Sequence, residues 1–474
     1  MMDIITGKIL KLHHWPDGKI IGLAKDVASR LMEQGLDREA ILARLDAVRQ
    51  NPGHFLTDPL TADLARECIR LNQKDEPTLD ELREDPLPFP IWGLEQIDQP
   101  SIDQMSNAMR LPVTVAGALM PDAHVGYGLP IGGVLATDNT VIPFAVGVDI
   151  ACRMRLSIYE VSPILLEQKK GMFEDALWRQ TVFGVGGELK GKDRADHAVL
   201  DDPAWDATGL LRTLQNNAVR QLGTSGSGNH FVEWGSFRLH EPTFGLEPGQ
   251  YLALLSHSGS RSVGFKIADR YSKLAREKHP DLHESVKHLS WLSLDSEEGQ
   301  EYWLSMELAG RFASANHYII HHKVAAAVGL KEAAVVENHH NFAWREKLPN
   351  GREVIVHRKG ATPAGEGVLG VIPGSMGDAG YVVRGRGMDQ SLSSASHGAG
   401  RLMSRKSAIN SISRSARDEY LKERGVTLLG GGLDESPQAY KPIDQVIAAQ
   451  SDLVDVVGKF TPKIVRMADE AGKF

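Results

Sequence analysis

Cysteine is nearly absent: Cys68 and Cys152 are the only two in 474 residues. That is too few for a disulfide framework. Long apolar runs are absent too, and none approaches the roughly 18–20 residues that cross a bilayer. The N-terminus, Met1-Met-Asp-Ile-Ile-Thr-Gly, has no basic segment leading into an apolar one, so no signal peptide is expected. These absences point to a reducing, cytoplasmic location with no membrane. Excess positive charge is also missing. The net charge is −8, which argues against a generally basic surface that coats nucleic acid but not against a local basic groove. There is no Walker-type phosphate loop, so a nucleotide would have to be held in another way. No internal repeat or low-complexity segment is apparent.

What remains is ordinary for a globular protein, with 42% hydrophobic and 24% charged residues. The length allows two or three domains, or one large core with an appendage. Residues 1–88 form the first part. Apolar residues at helical spacing predict helices over Ile21–Gln34, Asp37–Arg49 and Thr61–Leu71. Cys68 falls in the third pattern as a packing residue, and His13 and His14 read as surface residues before a turn. The proline-rich Glu84–Pro90 reads as a linker, and residues 89–474 form the second part.

The second part is organised around Val146-Gly-Val-Asp-Ile-Ala-Cys-Arg-Met-Arg155. Asp149 and Cys152 lie three positions apart, and a carboxylate and a thiolate that close can share a metal. The apolar Val141–Val146 predicts a buried strand leading in, with a turn at Gly147. A lone cysteine beside an apolar run is ordinarily a small buried hydrophobe. Downstream histidines alter that reading. His230 precedes the strand-like Phe-Val-Glu-Trp, His257 ends an apolar strand, and His339 and His340 end another. Strands that each end in a histidine can bring those rings to one rim of a sheet.

Other groups read more plainly. His317, His321 and His322 share a predicted helix, Glu301–Val328, without the acidic partner of a zinc-protease pattern, so packing and surface roles are expected. Asp122 and His124, in a glycine-rich stretch, are candidates for supporting the site or for capping their own turn. Ser393-Ser-Ala-Ser-His-Gly-Ala-Gly-Arg401 places His397 before small residues that admit a polyphosphate. A predicted helix then carries Arg401, Arg405, Lys406, Arg414 and Arg417.

The motifs MPDAHVGYGLPIGG, GVDIAC, GTSGSGNHFVEW, SHSGSR, HHN, HRKGA, IPGSMG, SSASHGAGRLMSR and AYKPI run in the order of the RtcB-type RNA ligases, which residues 91–442 resemble. The resemblance implies an α+β catalytic domain whose strands end at a two-manganese site, preceded here by a small helical segment. It implies that Cys152 bridges two Mn2+ ions, with Asp149 and His230 on one and His257 and His340 on the other. His397 resembles the guanylylated histidine. Asn229, Glu233, Ser375 and Lys441 resemble GTP contacts, with Glu233 and Lys441 nearest the guanine, and Gly398, Ala399 and Gly400 lie beside the nucleotide. Arg261, Asn341 and Arg401 resemble phosphate or RNA contacts.

The implied activity joins RNA 3′-phosphate or 2′,3′-cyclic phosphate ends to 5′-hydroxyl ends, in RNA repair or tRNA splicing. The partners are broken RNA and GTP, with an archease-like activator left open. Two departures suggest a divergent paralogue. Arg153 stands where the family usually has glycine, which is expected to add charge near the metals. Asp378-Ala-Gly380 stands where Thr-x-Ser is common. Two rival readings are a metal-dependent phosphoesterase, which needs neither His397 nor GTP, and an RNA-binding paralogue without catalysis.

Overall fold

A computed structural model describes residues 5–16, 18–74 and 80–469. The chain divides into two compact units, Met1–Leu79 and Asp80–Phe474. The division falls nine residues before the 88/89 boundary read from the proline-rich segment. That segment belongs to the second unit: the Arg83 backbone N–H donates to Arg110 O at 2.9 Å and Leu87 N–H to Met109 O at 3.2 Å.

The first unit is helical. Its helices are Gly7–Leu12, Lys19–Glu33, Arg38–Gln50 and Ala62–Lys74. The first of these escaped the periodicity argument because six residues carry less than two turns of pattern. Asp37 caps the third helix by accepting from Ala40 N–H at 2.9 Å. Leu10, Ile20, Leu31, Ile41, Leu45 and Leu64 form the core, and Cys68 is buried among them. His13 and His14 are exposed.

The second unit is built on two sheets. The larger runs Leu369–Ile372, Gly380–Gly385, Val454–Met467, Phe231–Leu239, Gly249–Ser258, Arg153–Tyr159 and Ala334–His339, with Thr427–Leu429 parallel to the long Val454–Met467 strand. The smaller runs Thr114–His124, Ile131–Thr137, Glu353–Lys359 and Asn341–Lys347. Helices Gly209–Gln221, Arg261–Lys278 and Glu297–Ala327 contribute to one shared core. The result is α+β. No helix of the described residues is long and apolar enough to cross a membrane.

Two sequence expectations fail for identifiable reasons. Val141–Val146 is not a strand. The pairing stops at Val141, and Pro143 opens a short helix, Pro143–Val146. Proline has no N–H to give a ladder, yet it fits the first turn of a helix. The run is apolar because Val141, Ile142, Ala145 and Val146 are all fully buried. His397 does not lead directly into a helix either. It follows the short strand Ser394–Ser396, and the helix starts only at Arg405, capped by Ser404. That helix ends at Ser411, and Arg414 begins another. Arg401 therefore lies outside both.

Candidate metal and nucleotide centre

The donor side chains converge because four antiparallel strands are in register at their ends. Phe231 pairs with His257, Met154 with His257, and Arg153 with His339. This places the residues just outside the strands, Cys152, His230 and His340, around His257. The turn before Arg153 is held from the side. Ala151 sits at φ 60, with its N–H on Asn341 O at 2.7 Å, and Asn341 Nδ2 donates to Asp149 O at 3.2 Å. A Cβ on Gly259 would come within 2.2 Å of Asp149 Oδ1, so only glycine leaves room for that carboxylate.

Cys152 Sγ lies 3.1 Å from His257 Nε2 and 3.5 Å from His230 Nε2. His257 Nε2 lies 3.1 Å from His340 Nε2, and His230 Nε2 lies 3.1 Å from Asp149 Oδ2. Backbone carbonyls fix the tautomers. His230 Nδ1 is 2.9 Å from Ser225 O, and His257 Nδ1 is 3.0 Å from Asn229 O. A carbonyl only accepts, so each Nδ1 carries the hydrogen and each ring turns its Nε2 inward. Burial and the neighbouring His230 push His257 down to about 3, and burial with His397 and His257 pushes His340 well below its usual range. Burial pushes the Asp149 carboxyl up, but His230 and Arg261 outweigh it and hold it below its usual value. Imidazole nitrogens, a carboxylate and a sulfur set this close together are donor types that transition metals take. Histidines oriented by backbone carbonyls are also the usual arrangement around a bound metal. The donor set therefore fits a metal centre, with Cys152, His230 and His257 the tightest group. Burial and Asp149 push the Cys152 thiol well up, so ion binding would have to displace its proton.

His397 stands beside this cluster, its ring centroid 4.9 Å from that of His340. Its Nδ1 is 2.7 Å from Asp122 Oδ2, which also accepts from His397 N–H at 3.0 Å and Gly398 N–H at 3.2 Å. Burial pushes the Asp122 carboxyl up. The His397 hydrogen bond, then the charges of His397, Lys441 and His124, outweigh that and keep it ionised. A carboxylate accepts, so Nδ1 carries the hydrogen, and Nε2 is the ring nitrogen turned away from Asp122. Gly400, at φ 74, would place a Cβ 2.0 Å from Asp122 O, which explains the small-residue loop.

A cavity of about 880 Å³ is walled by every expected site residue except Glu233, Arg261 and Lys441. Lys441 instead donates to Pro121 O at 3.0 Å and Ala123 O at 2.8 Å, bracketing Asp122. Glu233 is buried within the sheet, where burial pushes its carboxyl well up. Arg261 donates to Thr224 Oγ1 at 3.1 Å. Arg401 reaches the cavity but is tied to Glu435 and Tyr440, both at 3.1 Å. Ser375 also lines it, and its hydroxyl donates to Asp378. Asp378 in turn accepts from Tyr420 at 2.6 Å.

Arg153 does not add free charge beside the donors. Its guanidinium pairs with Glu337 at 2.5 Å and donates to Gly310 O at 3.3 Å, against the Glu297–Ala327 helix. His317 and His321 on that helix are buried structural groups. Ser256 Oγ lies 2.7 Å from each, and His321 is 2.6 Å from Ser157 Oγ. His322 is exposed. Sequence reasoning singled out neither the Asp122–His397 pair nor Lys359. Lys359 is buried in the cavity wall, donates to Tyr127 O, and is pushed down to about 7 by burial. A lysine at the end of an otherwise buried strand was the available signal.

The family model described as tRNA-splicing ligase RtcB matches residues 104–208 and 203–468. The RNA-splicing ligase RtcB of Escherichia coli K12 is 32% identical over 389 residues, covering 75% of this chain and 90% of its own. The tRNA-splicing ligase RtcB of Thermococcus kodakarensis is 31% identical over 440 residues, with 76% and 90% covered. The RNA-splicing ligase RtcB of Mycobacterium tuberculosis is 32% identical over 428 residues, with 76% and 98% covered.

Proposed function

The chain belongs to the RtcB family, and from that membership we propose that it is a cytoplasmic RNA ligase. It joins a 3′-phosphate or 2′,3′-cyclic phosphate end to a 5′-hydroxyl end, in RNA repair or tRNA splicing, by way of a histidine–GMP intermediate. The observation that supports this reading best is the Asp122–His397 pair standing against the buried donor cluster.

Cys152, Asp149 and His230 would hold one Mn2+ ion, and His257 and His340, with Cys152 beside them, a second. When bound, such ions neutralise phosphate charge and stabilise a leaving group. The protein's own residues do the rest. Asp122 holds the proton on His397 Nδ1, and Nε2 attacks the α-phosphate of GTP. The N–P bond forms as the bond to pyrophosphate breaks. The growing positive charge on the imidazole falls on the ionised Asp122. GMP passes from His397 to the RNA 3′-phosphate. A 5′-hydroxyl then attacks that phosphate, forms the phosphodiester and expels GMP. A cyclic phosphate is first opened by water to the 3′-phosphate. Asn229, Ser375 and the Gly398–Gly400 backbone border the space for the nucleotide, and Asn341 and Arg401 border that for the RNA phosphates. Lys441 and Arg261 act from behind the wall: Lys441 steadies Asp122, and Arg261 steadies Asp149.

Incubation with α-labelled GTP and manganese tests the proposal. Acid-labile, alkali-stable label on His397 is expected. A phosphoesterase or a binding-only paralogue would leave the protein unlabelled.

A further inference from the structure

Three aromatic rings from three separate segments meet at the lip of the cavity. Tyr127 lies in the hairpin between strands Thr114–His124 and Ile131–Thr137. Phe144 lies in the short Pro143–Val146 helix, and His288 in the turn Glu284–Leu289. The His288 ring meets Tyr127 edge-on at 6.3 Å and Phe144 edge-on at 5.1 Å. Tyr127 and Phe144 both line the cavity. Tyr127 is 71% exposed and its neighbour Val125 50% exposed, although the hairpin itself is fixed. A Cβ on Gly128 would lie 3.0 Å from Leu289 Cδ2 and 3.2 Å from His288 Cβ, so the hairpin is packed closely on the turn. The Tyr127 carbonyl accepts from Lys359, and a Cβ on the next residue, Gly360, would lie 3.1 Å from His397 Cε1. The exposed ring is thus anchored one residue from the group that packs on His397.

A rigid, exposed aromatic row beside a polar cavity suits a ligand with flat apolar faces and a charged backbone. Single-stranded nucleic acid is such a ligand: its bases stack on aromatic side chains while its phosphates are drawn to cations. Lys406 supplies positive charge in the same cavity. Resting on the RNA-ligase reading, we infer that Tyr127, His288 and Phe144 form a stacking ledge for the unpaired bases next to the RNA end that enters the cavity. The ledge is sequence-tolerant, because every base has a face to stack. It favours frayed or single-stranded ends over fully paired ones.

The test is equilibrium binding of fluorescent single-stranded RNA to the full-length protein, with a 3′-phosphate strand and a 5′-hydroxyl strand measured separately. Tyr127→Ala should weaken binding of at least one strand roughly tenfold, and Tyr127→Trp should retain it. Replacing the two terminal bases of that strand by abasic sites should abolish the difference between wild type and Tyr127→Ala. Equal affinities of wild type and Tyr127→Ala for both strands would overturn the ledge, as would an undiminished deficit on abasic strands. Formation of the protein–GMP adduct by the wild type, measured without RNA, separates the two ideas. Adduct formation with no Tyr127 effect removes the ledge alone, whereas no adduct at all removes the ligase reading on which it rests.

Discussion

One oxygen of Asp122 serves His397 twice, accepting from the ring Nδ1–H at 2.7 Å and from the same residue's backbone N–H at 3.0 Å. Ring and main chain are therefore tied to one oxygen, and the imidazole cannot turn without losing its Nδ1–H bond. Asp122→Asn should keep the metal content but slow formation of the protein–GMP adduct at least about a hundredfold, because the charge that balances the developing imidazolium is gone. His397→Ala should form no adduct while keeping its metals. Rapid-quench measurement of labelled GMP transfer checks both, and an unchanged rate in Asp122→Asn would refute the pairing's role.

Cys152→Ala should lose bound metal, and Cys68→Ala should lose none. Cys152 touches one histidine of each proposed site, His230 and His257, whereas Cys68 is buried in the helical unit's core. Metal content by plasma mass spectrometry after gel filtration decides this. Equal content in wild type and Cys152→Ala would sink the two-ion proposal.

The metal-free protein should lose stability steadily as pH falls from about 6.5 towards 4. Burial lowers His357 to about 4 and His257 to about 3, so over that window the unfolded chain takes up protons that the folded one refuses. Stability is then full above the unfolded value and declines on acidification. His357 illustrates the cause: its Nε2 accepts from Ile142 N–H at 2.9 Å, and a proton there would break that bond. Thermal unfolding midpoints at pH 7 and pH 5 should differ by several degrees. His357→Gln should narrow the gap, and a flat profile would contradict the argument.

A protein beginning at Asp80 should fold and form the GMP adduct, whereas one beginning at Phe89 should be less stable. The later start removes Arg83, whose guanidinium caps Leu111 O and donates to Pro112 O and Thr114 O at 3.0 Å. Denaturant unfolding of the two truncations checks the order, and equal stability would show that residues 80–88 contribute nothing.

Arg153→Ala should cost about 3 kcal/mol of stability, the low end for breaking a buried ion pair, because Glu337 still keeps Arg155 at 2.8 Å. Metal content should not change. A large change in metal affinity at full stability would restore the view that Arg153 acts on the donors directly.

The convergence of the donors was legible because strand ends announce themselves: an apolar run, then a histidine, then small polar residues. Pairing brought Cys152, His230, His257 and His340 together as that pattern implies. Side-chain direction was not legible. Lys441 and Arg401 look alike in sequence, yet Lys441 turns back to the Pro121 and Ala123 carbonyls while Arg401 faces the cavity. Arg153 looked like charge near the metals because Glu337, 184 positions away, cannot be seen as its partner without the fold. Val141–Val146 was misjudged because burial was read as a strand when Pro143 had already marked a helix start.

His340 sits where the two sheets join. His339 ends one, Asn341 begins the other, and the His340 N–H donates to Cys152 O at 3.0 Å while Asn341 O accepts from Ala151 N–H at 2.7 Å. The donor set is thus stitched across a seam. Any hinge between the sheets would prise His340 from Cys152 and disperse the donors, so an intact donor set requires the two sheets to keep their relation. The floor of the cavity is therefore a joint whose two halves must stay together for the donors to stay together.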